Sequence, residues 1–445
     1  MRLADALRIP SKRFVAFTGA GGKSTAIGRI TRELSEEGHI ILTSTTKLHH
    51  DQSSLAHSHI IARKPDDLSS LRSMLEDSPS VLVTGDKAEG EPKWVGVDAS
   101  TLDALHDLTQ EIGGILLIEA DGARGRSLKA PADHEPVVPH FVDLVVPVVG
   151  LDVIGASIDE ERVHRPERAA LLLGTTEGEA ILPEHVFKLL THPSGGMKDV
   201  PDHAEVRVLL NKAETQERLE HGRAIANLLL TVSRVRVAVI GSVSADQPVH
   251  EVFGRLAGVV LAAGDSKRLG QPKQLILWRG KPLVMHAVEA GLGANLFPIA
   301  VVIGAGGDAV RKALEDEPVM IVENEAWSTG LSTSVRVGLA SVESNAEAVV
   351  MLLSDMPFVQ AELVEALIHE HRRTLSPLVV PRSGGRRTNP VLFDRSTFDA
   401  LRAIRGDQGG RSLLEQFPKI WVECEETTLF DLDTPEDLQR LKELE

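Results

Sequence analysis

The sequence predicts an α/β protein of two domains, each built on a mostly parallel sheet covered by helices. Three observations carry this prediction. Short apolar runs alternate with charged, helix-like stretches along all 445 residues. The alternation breaks once, in a small and polar stretch near residues 242–256, and then restarts. Each half opens with an apolar run that enters a glycine-rich turn. A chain of this length exceeds one typical domain, and such alternation marks a sheet buried on both faces.

In the first half, residues 14–17, 40–43, 81–84, 115–118, 144–149, 206–210 and 235–240 read as buried strands. Residues 23–37 and 214–230 read as helices among them. Gly241-Ser-Val-Ser-Ala-Asp-Gln-Pro-Val-His250 has the composition of a linker. The expected organisation is therefore a first domain over 1–242, a linker over 243–256 and a second domain over 257–445. Further strands are expected at 258–263, 299–303, 319–322, 348–353 and 378–381. The two glycine-rich turns differ in sequence, and no internal repeat is visible.

Hydrophobic residues make up 42% and charged residues 25%, the balance of an ordinary globular protein. Lys+Arg of 48 against Asp+Glu of 64 gives a net charge of −16. That argues against a nucleic acid or an anionic membrane surface as partner. Small anionic substrates remain compatible, since loops and helix N-termini capture them locally. The single cysteine, Cys424, excludes an intrachain disulfide, a CxxC motif and a thiolate metal cluster. No apolar run approaches the ~20 residues of a membrane span, and the first residues lack the apolar core of a signal peptide. The expectation is a cytoplasmic protein.

The chemistry of the second half starts where the run ending at Ala263 enters Leu261-Ala-Ala-Gly-Asp-Ser-Lys-Arg-Leu-Gly-Gln-Pro-Lys273. A triphosphate needs backbone N–H groups at close range and fixed positive charge. Gly264 and Gly270 permit the first; Arg268 and Lys273 supply the second. Leu261, Ala262, Ala263, Gly264 and Lys273 are the expected nucleotide-binding residues, with Arg268, Lys273 and Asp355 as the catalytic set. Asp355 directly follows an apolar run, which places it at the carboxyl edge of the sheet where α/β proteins hold ligands. It is a candidate Mg²⁺ ligand, with a helix cap as the alternative. Asp431 and Asp433 are spaced to face one side of a strand, and Asp433 offers the ion a second carboxylate. Thr434 and Pro435 read as the N-cap and first residue of a final helix.

These motifs together resemble the NTP-transferase family that adds a nucleotide to the molybdenum cofactor, in its cytidylyltransferase branch. The likeness covers residues 257–445. It includes Leu261-Ala-Ala-Gly-x-Ser-x-Arg-x-Gly-x-Pro-Lys-Gln-Leu275, Asn324-x-x-Trp-x-x-Gly-Leu-Ser-Thr-Ser-Val-Arg336, Leu353-Ser-Asp-Met-Pro357, Asn389-Pro-Val-Leu-Phe393, Gly406-Asp-x-Gly-x-Arg411 and Asp431-Leu-Asp-Thr-Pro-Glu-Asp437. The guanylyltransferase branch resembles Leu-Ala-Gly-Gly at the loop start, so Ala262-Ala263-Gly264 here favours CTP over GTP. Leu269 stands where many relatives have Met, a volume-conserving change. Thr388 and Gly410 stand where Gly and Ala are common. The resemblance implies a Rossmann-like nucleotidyltransferase domain, with CTP and the molybdenum cofactor as substrates and Mg²⁺ as cofactor. The acceptor phosphate is already an anion, so the reaction needs alignment and charge neutralisation rather than a general base. Asn324, Ser332, Ser334 and Asn389 are candidates for positioning cofactor or base, with helix-capping or turn roles as the alternative.

In the first half, residues 14–17 run into Thr18-Gly-Ala-Gly-Gly-Lys-Ser-Thr25. A standard P-loop would have glycine at position 17, where Phe17 stands; the shorter form of the ligases that build peptidoglycan precursors is similar. Gly19, Gly21, Gly22, Lys23, Ser24 and Thr25 are the expected nucleotide-binding residues of this P-loop-like domain. Lys23 would reach the β- and γ-phosphates and Ser24 a Mg²⁺, with Glu119 and Asp121 as the carboxylates around the ion. Asn211 and Lys212 begin Asn-Lys-Ala-Glu214, which resembles the guanine-reading motif of GTPases with Glu in place of Asp. ATP and GTP both stay open, and a strand end with a helix cap is the alternative. His49, His50, His57 and His59 read as surface residues.

Glu119-Ala-Asp-Gly-Ala-Arg-Gly-Arg-Ser-Leu-Lys-Ala-Pro131 with His134-Glu-Pro-Val-Val-Pro139 is similar to the selenium-dependent hydroxylase accessory family, over residues 10–242. Arg124, Arg126 and Lys129 form a basic cluster able to meet an anionic cofactor, or an exposed solvated loop. The combined expectation is a maturation enzyme for molybdenum hydroxylases, with a hydroxylase apoprotein or its chaperone as partner. A sugar- or alditol-phosphate nucleotidyltransferase and a non-catalytic cofactor carrier are the competing expectations.

Overall fold

The computed structural model describes residues 1–264, 268–304 and 307–444, with Gln408 described by its backbone alone. The chain divides into two compact units, Met1–Phe253 and Gly254–Glu445. Both are α/β, built on large, largely parallel sheets.

The first unit has a nine-stranded sheet: β1 (Phe14–Gly19), β2 (Ile40–Ser44), β3 (Ser58–Ile61), β4 (Ser80–Thr84), β5 (Ile115–Glu119), β6 (Leu144–Gly150), β7 (Glu205–Asn211), β8 (Val235–Gly241) and β9 (Val249–Gly254). Their spatial order is β9-β8-β7-β6-β1-β5-β2-β4-β3. From β8 to β3 every neighbouring pair is parallel. Successive side chains leave opposite faces of a strand, and both faces here are covered. Phe14 and Ala16 pack with Leu102 and Leu105 of the helix Ala99–Ile112. Further along the same face, Val206, Val208 and Leu210 pack with Ile225 and Leu229 of the helix Gln216–Leu229, and on the opposite face Val15, Phe17, Leu117 and Val146 are buried as well. The central strands therefore read as continuous apolar runs, which is why they were visible in sequence.

The stretch expected as a linker corrects that expectation. Residues 249–254 are β9, hydrogen-bonded to β8 at the edge of the first sheet. Val249, Val252 and Phe253 are buried, and Ser242 N–H donates to Pro248 O at 2.9 Å. The small, polar residues 242–248 form the connection between two strands of one sheet, and the next strand begins at Leu256.

The second unit has an eight-stranded sheet. Its strands are β10 (Leu256–Ala262), β11 (Ile299–Ile303), β12 (Met320–Glu323), β13 (Ala348–Leu353), β14 (Leu378–Ser383), β15 (Arg386–Arg387), β16 (Val391–Asp394) and β17 (Lys419–Glu423). The order is β12-β11-β10-β13-β16-β14-β15, with β17 also paired to β14. β12, β11, β10 and β13 run parallel, and β16 is antiparallel to both neighbours. Val260 and Ala262 face the helices Leu283–Gly293 and Ala361–Thr374. Val259 and Leu261 face the helix Leu331–Val342. No helix among the described residues is long and apolar enough to cross a membrane.

Candidate functional site

In the second unit three chain segments meet at one edge of the sheet. Leu261 and Leu353 are register partners at the carboxyl ends of β10 and β13. Ser354 Oγ donates to Leu261 O at 3.1 Å and so fixes the residue next to Asp355 against the loop start. The third segment is tied in by Leu432 N–H donating to Asp355 O at 3.1 Å. Leu432 is fully buried with Ile276, Trp278 and Leu441, which leaves its neighbours Asp431 and Asp433 on the side of Asp355. Carboxylate oxygens of Asp355, Asp431 and Asp433 lie within 4.8 Å of one another.

Lys273 enters this cluster. Its Nζ donates to Asp433 Oδ1 at 2.9 Å and to Asp355 Oδ2. Burial opposes the ammonium charge, but Asp355 and Asp433 outweigh it and raise the lysine pKa. Asp431 is pushed up to about 7 by desolvation and by repulsion from Asp355 and Asp433. Three carboxylates held together with one lysine carry excess negative charge, and Asp355 Oδ1 is buried with no hydrogen-bond donor among the described residues. Hard oxygen donors in that arrangement fit a divalent cation such as Mg²⁺.

The glycine-rich loop is only partly described. Asp265, Ser266 and Lys267 lie outside the described residues. Arg268 is exposed on the turn that follows. A residue to which no role was given in sequence holds the loop's entry: Gln274, almost fully buried, donates from Nε2 to Ala262 O at 3.0 Å and to Gly264 O at 2.7 Å. In sequence it stood inside the loop motif, directly after Lys273, without a role of its own. Asn324 is buried and donates to Thr333 Oγ1 at 2.8 Å and Ser334 Oγ at 2.9 Å, while its Oδ1 accepts from Ala326 N–H. The amide nitrogen serves the start of the helix Leu331–Val342 and the oxygen the turn at Ala326, the turn role of the two expected. Ser332 is buried in the same turn, and Asn389 lines a cavity of about 200 Å³ beside it.

In the first unit, β1 ends in the expected turn and the helix Lys23–Leu34 begins at Lys23. Gly22 has φ +119°, and a Cβ there would come 2.4 Å from Asn211 Nδ2, so only glycine suits the position. Lys23 Nζ donates to Gly19 O at 2.6 Å and lies 3.1 Å from Asp121 Oδ1. Ser24 Oγ donates to Glu119 Oε2 at 3.0 Å. Burial above all raises the Glu119 pKa, against the charge of Lys23. The residues Lys23, Ser24, Glu119 and Asp121 are thus gathered at one strand edge, and Thr25 is exposed beside them. Gln52, which nothing local in the sequence connects to the turn, also donates to Ser24 Oγ.

Other candidates of the first unit are otherwise engaged. Asn211 donates to Gly21 O at 2.7 Å and accepts from Val243 N–H at 3.0 Å, so it braces the turn from behind. Lys212 donates to Ser127 Oγ at 2.8 Å and Asp152 Oδ2 at 2.9 Å, and Glu214 pairs with Arg218 at 2.9 Å. The expected basic cluster is divided: Arg124 is exposed, whereas Lys129 is buried between Asp121 at 3.0 Å and Glu135 at 2.6 Å. His49 and His57 are at the surface as expected, but His50 and His59 are half-buried against Trp94, with ring centroids 4.6 and 4.7 Å away.

Comparison with known proteins adds the following. Residues 258–420 match the MobA-like NTP transferase domain family, and residues 15–167 match the YqeC protein family. The nicotine blue oxidoreductase of Paenarthrobacter nicotinovorans is 35% identical over 197 residues, covering 42% of this chain and 96% of that protein. The YqeC protein of Escherichia coli K12 is 30% identical over 187 residues, covering 42% of this chain and 71% of that protein. Among solved structures, Rv0371c from Mycobacterium tuberculosis H37Rv is 29% identical over 42% of this chain and 98% of its own, with a TM-score of 0.39.

Proposed function

The chain belongs to the MobA-like NTP transferase family through its second unit and to the YqeC family through its first, and on that premise we propose that it transfers CMP from CTP to the molybdenum cofactor, releasing pyrophosphate. The enzyme class, nucleotidyltransferase, follows from the family. The observation that carries the reading further is the meeting of Asp355, Asp431 and Asp433 on Lys273 beside the glycine-rich loop.

In this reaction an oxygen of the acceptor's terminal phosphate forms a bond to the α-phosphorus of CTP, and the bond from that phosphorus to the bridging oxygen of pyrophosphate breaks. The acceptor arrives as an anion, so no side chain has to remove a proton. The work of the protein is in-line alignment and opposition to the charge that grows on the leaving pyrophosphate. Asp355 and Asp433, with Asp431 beside them, would hold Mg²⁺, which supplies charge neutralisation on the phosphates. Lys273 acts as a compact cation within the same cluster. Arg268, exposed on the turn, brings a planar guanidinium to the triphosphate, where bidentate contact is available. Gln274 keeps the Ala262–Gly264 backbone in place for the phosphates and base. The preference for CTP rests on Ala262 and Ala263 at the loop start.

The first unit is read as a nucleotide-dependent accessory domain. Lys23 would exchange its contacts with Gly19 O and Asp121 for nucleotide phosphates, and Ser24 with Glu119 would hold the associated Mg²⁺. ATP and GTP both suit this site, because Lys212 and Glu214 are committed to ion pairs and do not favour guanine. Service to a molybdenum hydroxylase belongs to the same proposal.

The identity with nicotine blue oxidoreductase favours one second reading, a redox reaction at the same site. A carboxylate trio around a lysine serves phosphoryl chemistry and has no evident task in hydride transfer. The test is incubation of the full chain with Mg²⁺ and either CTP or GTP, with and without isolated molybdenum cofactor. Pyrophosphate release that needs both CTP and the cofactor is the expected result. Release that needs a sugar phosphate instead, or none under any pairing, overturns the proposal.

A further inference from the structure

We infer that the cavity of about 200 Å³ over β16 is the seat of the acceptor, and that Arg387 and Arg411 on its rim jointly grip the acceptor's phosphate monoester. The inference rests on the transfer reading for the word acceptor, and on the cavity alone for the ligand chemistry. The cavity reaches Leu261 and Leu353, the two strand ends that carry the glycine-rich loop and Asp355. A ligand seated there is therefore next to the reacting phosphates.

The lining has two characters. Val335, Met351, Val391 and Phe393 form an apolar floor. The volume is several times the roughly 30 Å³ that one water occupies in the liquid, enough for a ring system. On the rim stand Arg387, Asn389 and Arg411. Both arginines are exposed, and among the described residues neither has a carboxylate within ion-pairing distance. The partial burial of its side chain first, and then the charge of Arg411, lowers the pKa of Arg387. Like charges facing one cavity and ion-paired to no carboxylate among the described residues repel, and a dianionic phosphate removes that repulsion. Guanidinium pairs suit phosphate because each offers a planar fork of donors. Asp407 also lines the cavity, but its Oδ1 lies 2.8 Å from where a Cβ on Gly330 would stand, at the N-terminus of the helix Leu331–Val342. The positive end of the helix dipole offsets part of its charge.

Gly410 is what brings Arg411 into position. A Cβ at Gly410 would come 2.5 Å from Phe393 Cζ, so the glycine lets residues 406–412 rest directly on the Phe393 ring. Larger residues at this position would lift Arg411 away from the cavity. The ligand chemistry is thus a phosphate monoester on a flat, partly apolar ring body. A fused-ring cofactor satisfies both halves of the site; a sugar phosphate satisfies only the arginines.

The test is calorimetric titration of the full chain with isolated molybdopterin, with glucose 1-phosphate, and separately with Mg²⁺–CTP. The proteins compared are wild type, Arg387→Ala, Arg411→Ala, the double variant and the two Arg→Lys variants. Each Ala variant should weaken molybdopterin binding about ten- to a hundredfold, the loss of charge-assisted hydrogen bonds. CTP binding and the melting temperature should not change, and Lys should restore part of the loss. Equal molybdopterin affinity in wild type and the double variant overturns the clamp. Glucose 1-phosphate binding as tightly as molybdopterin overturns the role of the apolar floor. Failure of the transfer reading would look different: arginine-dependent binding without CTP-dependent pyrophosphate release.

Discussion

Lys273 shows how a single residue gains its meaning from distant parts of the chain, since its ammonium is shared between Asp355 and Asp433. The loop, the lysine and both aspartates were identifiable in sequence because each sits at a recognisable strand end or helix start. Asp431 was visible only as a spacing, and its membership of the cluster appears once Leu432 is buried and turns its neighbours toward Asp355. Gln52 had no usable signal, because Ser24 lies far off in sequence; Gln274 stood in the loop motif without a role, and Lys129 was read in a basic cluster whose pairing with Asp121 and Glu135 appears only in the fold. At the same scale, Glu135 offers a test of the buried charges behind the first unit's glycine-rich turn. Burial opposes its charge, but hydrogen bonds from Arg165 at 3.0 Å and Lys129 at 2.6 Å win and hold its pKa at about 2. A carboxyl depressed on folding stabilises above its unfolded pKa, and that stability is lost as pH falls through the folded value. Glu135→Gln should therefore cost about 1–3 kcal/mol near pH 7 and flatten the loss of stability between about pH 4.5 and 2, the interval from an unfolded glutamate to the folded value. Urea unfolding across that range measures both, and an unchanged acid limb would contradict the account.

Among the elements, the helix Leu331–Val342 carries most of the positioning in the second unit. It packs so closely on the sheet that a Cβ at Gly338 would come 2.4 Å from Val259 Cγ1 and 2.9 Å from Val302 Cγ2. Gly338→Ala should destabilise by about 1–3 kcal/mol, the usual cost of overpacking, and should raise the KM for the acceptor, because this helix forms one wall of the cavity. Thermal melts and steady-state kinetics test the two parts, and a variant as stable and active as wild type would argue against such close packing. Legibility in sequence followed burial here. β1, β2, β10, β11 and β13 are apolar throughout and were evident from that. β17 and β3 were not, because they are half-exposed, and β16, though buried at all four positions, was not because its apolar run is only three residues long. β9 was hidden for a different reason: the polar turn before it has the composition of a linker, and three buried apolar residues within six were too weak a signal beside it.

At the scale of the molecule, two α/β units each carry their own core and their own nucleotide-type turn. The edge position of β9 has a direct consequence for dissection. A fragment of residues 1–254 retains Val249, Val252 and Phe253, whereas 1–242 removes them and exposes the edge of β8. The longer fragment should unfold cooperatively, and the shorter should melt at lower temperature and aggregate more readily, as exposed strand edges do. Equal melting of the two would return residues 249–254 to the status of a linker. The central claim is that the second unit joins CTP to a cofactor phosphate under the control of the Asp355 cluster. Its most direct test is mass spectrometry of the product formed by the full chain from Mg²⁺, CTP and molybdenum cofactor, compared with Asp355→Asn. The account predicts a cofactor heavier by one CMP unit with wild type, and a rate lowered about 10²- to 10³-fold in the variant. A cofactor recovered without added CMP, or a variant as fast as wild type, would contradict it.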